Sequence, residues 1–197
     1  MNNSNRIFVS TTFSSDDSKV SDVLQQCEEN SISNVELGSN HSHEENFERI
    51  LGKHPFQYLV HNYFPIPKDS FILNIASLND QIWQRSIDHI LWAIDFCKCI
   101  EARLYTFHPG FLTDPQGSNL DSNNYDFQFN DDSLRFDNPS QAFERLTTAI
   151  SEIVDYSKNK SVQIAIETEG SISKKDHLIM QQPDEYKKFF SQFSPDD

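Results

Sequence analysis

Glycine is scarce in this chain: there are five in 197 positions, and none lies in the turn after the first predicted strand, which reads FSSDDS over 13–18. Dinucleotide-binding sheets and P-loops both need a glycine-rich first turn that lets backbone approach phosphate, so neither is available here. Cysteine is nearly as rare. Cys27, Cys97 and Cys99 include one C-x-C pair and no second Cys or Cys/His pair at zinc-finger spacing, which excludes a disulfide scaffold and a structural zinc knuckle. Positive charge is also in deficit, with 16 Lys and Arg against 30 Asp and Glu and a net charge of −14. Such a field repels polyanions, so sequence-independent binding to nucleic acid or to an acidic membrane is disfavoured. No apolar run approaches the roughly 20 residues that span a bilayer. Met1 is followed by polar residues rather than a basic segment and an apolar core. A cytoplasmic protein with no membrane partner is expected.

Aromatic residues are plentiful, sixteen Phe and six Tyr, and they fall in regular apolar blocks. Disordered chains lack both features, so a packed core is expected, and the length suits one domain. The blocks alternate between short β-branched or aromatic runs and longer stretches of helical period, the pattern of parallel strands joined by crossover helices. Strands are predicted at Arg6 to Phe13, Asn34 to Gly38, Phe56 to Phe64, Ala102 to His108 and Val162 to Thr168. The first helix carries Val20, Val23, Leu24 and Cys27 on one face. Ser42 with Glu45 three residues on predicts a capping box for the second, which stops at Gly52. A third, long helix places Ile87, Ile90, Leu91, Ile94 and Cys97 at three- and four-residue spacing, where a buried thiol is expected. Asn138 and Pro139 open a fourth, with Ala142, Leu146, Ala149, Ile150, Ile153 and Val154 as its stripe. Pro183 opens a fifth, with Tyr186, Phe189, Phe190 and Phe193 turned inward.

Five strand-helix units without a nucleotide-binding turn point to an α/β fold of the TIM (β/α)8 type, incomplete in this chain. An eight-unit barrel takes about 250 residues, so three units are wanting. Either the chain is a fragment, or another copy completes the barrel as a homo-oligomer.

In such barrels reactive groups stand at the C-terminal ends of strands. His61 follows QYLV, His108 follows LYTF and Glu167 follows VQIAI, each a polar residue where a core strand exits. Glu36 follows NV in strand two. Taken singly, a strand-end histidine is more often a hydrogen-bonded structural residue than a ligand. Two imidazoles and a carboxylate in register, however, suit Zn, Mn or Mg, because they supply lone pairs at about 2.0–2.2 Å.

The stretches LVHNYF, SFILNIAS, RSIDHI, LYTFHPGF and VQIAIETEGS resemble the xylose isomerase-like barrel superfamily, which includes sugar-phosphate isomerases and epimerases and endonuclease IV. The resemblance implies a single domain over 1–197 that lacks its last three units. It implies that Glu167 is a metal-binding carboxylate and catalytic acid/base, and that His61 and His108 ligate a divalent ion or contact substrate. Two activities follow: a metal-dependent sugar or sugar-phosphate isomerase or epimerase, or a zinc-dependent endonuclease acting at abasic sites. The acidic balance and VELG in strand two favour the sugar enzyme with a small-molecule substrate; SFILNIAS pulls toward the nuclease. A third reading is an inactive or truncated barrel.

Thr113 to Asn138, rich in Asp, Asn and Ser, is expected to be a lid-like loop, and its DSNNYD run lacks the Gly and terminal Glu of an EF-hand. His177, in the loop after strand five, is a candidate substrate contact alongside Glu36. His41 and His43 are expected to be solvated at the start of helix two, with Glu44 and Glu45 answering its dipole. His54 is assigned to the stability face and His89 to the outer helical ring.

Overall fold

A computed structural model describes residues 7–15, 18–115, 139–168 and 177–194. Strand and helix alternate along the chain as β1 (Val9–Ser10), α1 (Val20–Glu29), β2 (Asn34–Leu37), α2 (Phe47–Leu51), β3 (Gln57–His61), α3 (Asp80–Cys99), β4 (Leu104–Phe107), α4 (Pro139–Lys160), β5 (Gln163–Ile166) and α5 (Pro183–Phe190). A 3-10 turn, Thr11–Phe13, follows β1. The five strands form one parallel sheet in sequence order, β1-β2-β3-β4-β5. That order is what a run of right-handed β-α-β crossovers yields when each strand joins the edge of the one before.

Strand alternation sorts the sheet into two unlike faces. Val35 and Leu37 of β2, Tyr58 and Val60 of β3, and Tyr105 and Phe107 of β4 are buried on one face. The register pairs Glu36 with Leu59 and His61 with Thr106, placing these residues on the other. There Glu36, Leu59, His61 and Leu104 are only half-buried.

By internal contact the chain forms two compact units of interleaved segments, 1–70 with 92–107 and 160–165, and 71–91 with 108–159 and 166–197. In the first, Val23 and Leu24 of α1, Ile94 and Cys97 of α3, and the buried sheet face make the core. Phe64 packs between Phe47 and Phe96, its ring tilted to both, with centroids 4.9 and 5.6 Å away. In the second, Ile87 and Ile90 of α3, the stripe of α4 and Leu178 to Met180 are buried. Phe189 meets Phe143 edge-on. Each fully buried aliphatic or aromatic side chain contributes about 1.5–3 kcal/mol.

Several expectations need correction. The strands are shorter than their apolar runs, because a strand ends where its neighbour stops pairing; β1 keeps two residues before the chain tightens into the 3-10 turn. α2 starts at Phe47 behind Asn46 in the left-handed region (φ 61°), with no side-chain cap, so the Ser42–Glu45 box does not form. Glu44 instead accepts from the backbone N–H and hydroxyl of Ser21, in the first turn of α1. His41 is not solvated. It is 4% exposed, shares a 2.7 Å hydrogen bond with Thr11, and its other ring nitrogen lies 3.1 Å from the Ser18 carbonyl. His43 reaches the Ile66 carbonyl. Phe190 points outward at 63% exposure, and Phe189 takes the inward place. His89 lies in α3 as expected but is buried, against the Phe71 ring. Helix-four cap Asn138 and most of the Thr113–Asn138 loop lie outside the described residues.

Candidate metal centre

β3, β4 and β5 are neighbours, and each hands over a polar residue at its C-terminal end: His61 is the last residue of β3, while His108 and Glu167 come directly after Phe107 and Ile166. Parallel pairing brings all these ends to one edge, so residues far apart in sequence become neighbours. Ligand-type atoms of the three side chains lie within 4.8 Å of one another. Among the described residues no other group of His, Cys, Asp and Glu is drawn together in this way.

Local structure explains why the two rings stand as they do. After His61 the chain turns at Asn62, which holds φ at 49°, a conformation Asn tolerates better than most residues. The turn is pinned to β4 on both sides: the Asn62 N–H donates to the Thr106 carbonyl at 2.6 Å, and the Tyr105 hydroxyl donates to the Asn62 carbonyl at 2.6 Å. The Tyr105 phenol is fully buried, and burial raises its pKa well above the ordinary range, so it stays a neutral donor. The His61 ring nitrogen Nδ1 shares a 2.7 Å hydrogen bond with the hydroxyl of Thr106. His108 Nδ1 lies 3.2 Å from the Glu167 carbonyl oxygen. A carbonyl only accepts, so Nδ1 of His108 carries the proton, and in the neutral ring the lone pair sits on Nε2.

Both imidazoles are half-buried and Glu167 is exposed. Two nitrogens and a carboxylate oxygen are the donors of many zinc and manganese sites, and Nδ1-side hydrogen bonds are what metal-bound histidines use to fix ring orientation. The donor set and its spacing fit a divalent ion.

The remaining sequence candidates are not in this cluster. Glu36 is half-buried on the same sheet face, paired in register with Ser10 and Leu59 and thus short of the rung of His61. His177 is half-buried; its carbonyl accepts from the Leu112 N–H at 2.8 Å, beside the bridge between Phe111 and Leu178. Sequence reasoning missed Thr106, which faces His61 only because of the β3–β4 register, and Asn74, a fully buried amide. The signal for Asn74 was present as one polar residue inside the apolar run FILNIA.

A parallel α/β sheet with donor side chains gathered along its C-terminal edge is the arrangement expected of successive units of a (β/α)-barrel. A family model described as xylose isomerase-like TIM barrel matches residues 23–196, and the chain belongs to that family. No curated protein sequence matches the chain. Among solved structures it is similar to a D-tagatose 3-epimerase-like protein, at 15% identity and TM-score 0.65, covering 94% of this chain and 60% of that one. It is also similar to an L-ribulose 3-epimerase (11%, TM-score 0.60, 94% of this chain and 56% of that). A third is the D-allulose 3-epimerase from Methylomonas sp. in complex with D-allulose (10%, TM-score 0.54, 87% and 52%). The chain therefore spans between half and three-fifths of the length of these relatives, and the likeness is one of fold. Among the described residues no helix is long and apolar enough to cross a membrane.

Proposed function

We propose that this chain is part of a divalent-metal-dependent sugar or sugar-phosphate isomerase or epimerase, supplying the first five β/α units of a single barrel domain. The observation that carries the reading is the meeting of His61, His108 and Glu167 at one edge of the sheet. The names of the three structures given above, sugar epimerases or epimerase-like, support the substrate class. In this reading His61 and His108 present Nε2 to the ion, their orientation held through Nδ1 by Thr106 and the Glu167 carbonyl. A bound divalent ion supplies Lewis acidity toward a carbonyl or hydroxyl oxygen. Glu167 would help hold the ion, and its exposed carboxylate would take or return a proton on the carbon next to that carbonyl. Glu36 and His177 contact the sugar from strand two and from the loop after strand five.

The test is calorimetric titration of the purified chain with zinc and manganese chloride. Binding is expected, with at least a tenfold loss in His61→Ala and in Glu167→Gln. A wild-type chain that binds neither ion, or variants that bind as well as wild type, would refute the site. Assays of ketose epimerisation against abasic-DNA cleavage then separate sugar from nuclease chemistry, and inactivity in both with metal bound would leave a truncated barrel.

A further inference from the structure

Two stretches marked by their resemblance, SFILNIAS over 70–77 and LYTFHPGF over 104–111, are bonded to each other through one side chain. Asn74 is 0% exposed, and its amide is fully used. Oδ1 accepts from the backbone N–H of Phe111 at 2.9 Å and of Ala76 at 3.1 Å. Nδ2 donates to the Phe111 carbonyl at 3.1 Å and to the Asp114 carboxylate at 2.8 Å. Two acceptor and two donor positions are all that an amide has. By binding both polar groups of Phe111, Asn74 imitates the pairing of a neighbouring strand. Asp114 is held in turn by the Ser77 hydroxyl at 2.6 Å, and the Asn74 backbone N–H donates to Ser86 of α3 at 2.9 Å. The fit is close. Gly110 adopts φ +104°, and a Cβ there would stand 2.2 Å from Asn74 Oδ1.

His108 lies three residues before Phe111, and little slack separates them. Pro109 has its φ fixed by its ring, and Gly110 is confined by Asn74. We propose that Asn74 is a positioning residue for His108: by clamping the main chain at Phe111 it sets where the imidazole stands against Glu167. The proposal rests on the metal-centre reading above and extends it to a residue that touches no ligand atom. Displacements of about 1 Å at such groups are enough to weaken a site.

Asn74→Asp keeps the shape and the two acceptors but sets oxygen against the Phe111 carbonyl and the Asp114 carboxylate. In the full chain it is expected to weaken zinc binding about tenfold or more, the range for groups that orient metal ligands. In the metal-free protein, nitrogen NMR at one fixed pH is expected to show the His108 ring signals displaced, while those of His61, held by Thr106, stay in place. Should Asn74→Asp fail to fold, Asp114→Ala removes a single arm of the clamp and is expected to move the same signals less far. A folded variant with a lower melting temperature but unchanged zinc affinity and unchanged His108 signals would overturn the proposal, leaving Asn74 as a structural brace. Failure of wild type to bind zinc would refute the metal reading instead; the His108 signals of the metal-free variants then decide whether Asn74 positions the ring.

Discussion

Thr106 and the Glu167 carbonyl hold the two candidate imidazoles by the same ring nitrogen, but only one of these holds can be removed by substitution. Thr106→Val keeps the volume and deletes the hydroxyl, so the His61 ring loses its orientation. Zinc affinity is expected to fall about 10- to 100-fold, with Thr106→Ser close to wild type, both read by competition with a chromophoric chelator. His89 offers a second test. Burial, and then the nearby Arg85 guanidinium, lower its pKa to about 4 from an ordinary 6.5. The folded protein thus keeps the ring neutral where the unfolded chain takes up a proton. Its contribution to stability is complete above about pH 6.5 and is lost as pH falls toward 4, by about 3 kcal/mol in all. Denaturant melts between pH 7 and pH 4.5 are expected to show this loss in wild type and a flatter profile in His89→Phe.

Helices were more legible than strands. Val20, Val23, Leu24 and Cys27 mark α1 by their spacing, and the same four are buried. Pro183 begins α5 as its fixed φ predicts, and Gln182 with Glu185 closes a capping box there. Helical period is a local property, so the sequence shows it directly. Helix starts that depend on other elements were not visible. Glu44, read as an acidic residue of helix two, serves α1, 23 residues earlier, by accepting from Ser21. Glu44→Ala is expected to cost about 1 kcal/mol, read as a lower melting temperature, because two first-turn donors lose their acceptor. Glu45→Ala, the other half of that acidic pair, is expected to change little.

For the molecule as a whole, the charge of −14 acts against compaction, since like charges repel over about 10 Å at moderate ionic strength. Raising sodium chloride from 10 to about 150 mM is expected to raise the melting temperature, as scanning calorimetry would show. No change would mean that the acidic groups are already locally compensated. The sequence alone determined the α/β class, the order of the units, the parallel strand-helix alternation and three polar strand ends, because periodicity and residue type are written along the chain. It could not determine which strand lies beside which rung, for that depends on pairing between segments tens of residues apart. Tertiary structure therefore decided that His61 faces Thr106, that Asn74 closes on Phe111, and that His41 goes inside. Each of these is a bond between partners no local pattern connects, and the geometry of the candidate centre is made of such bonds.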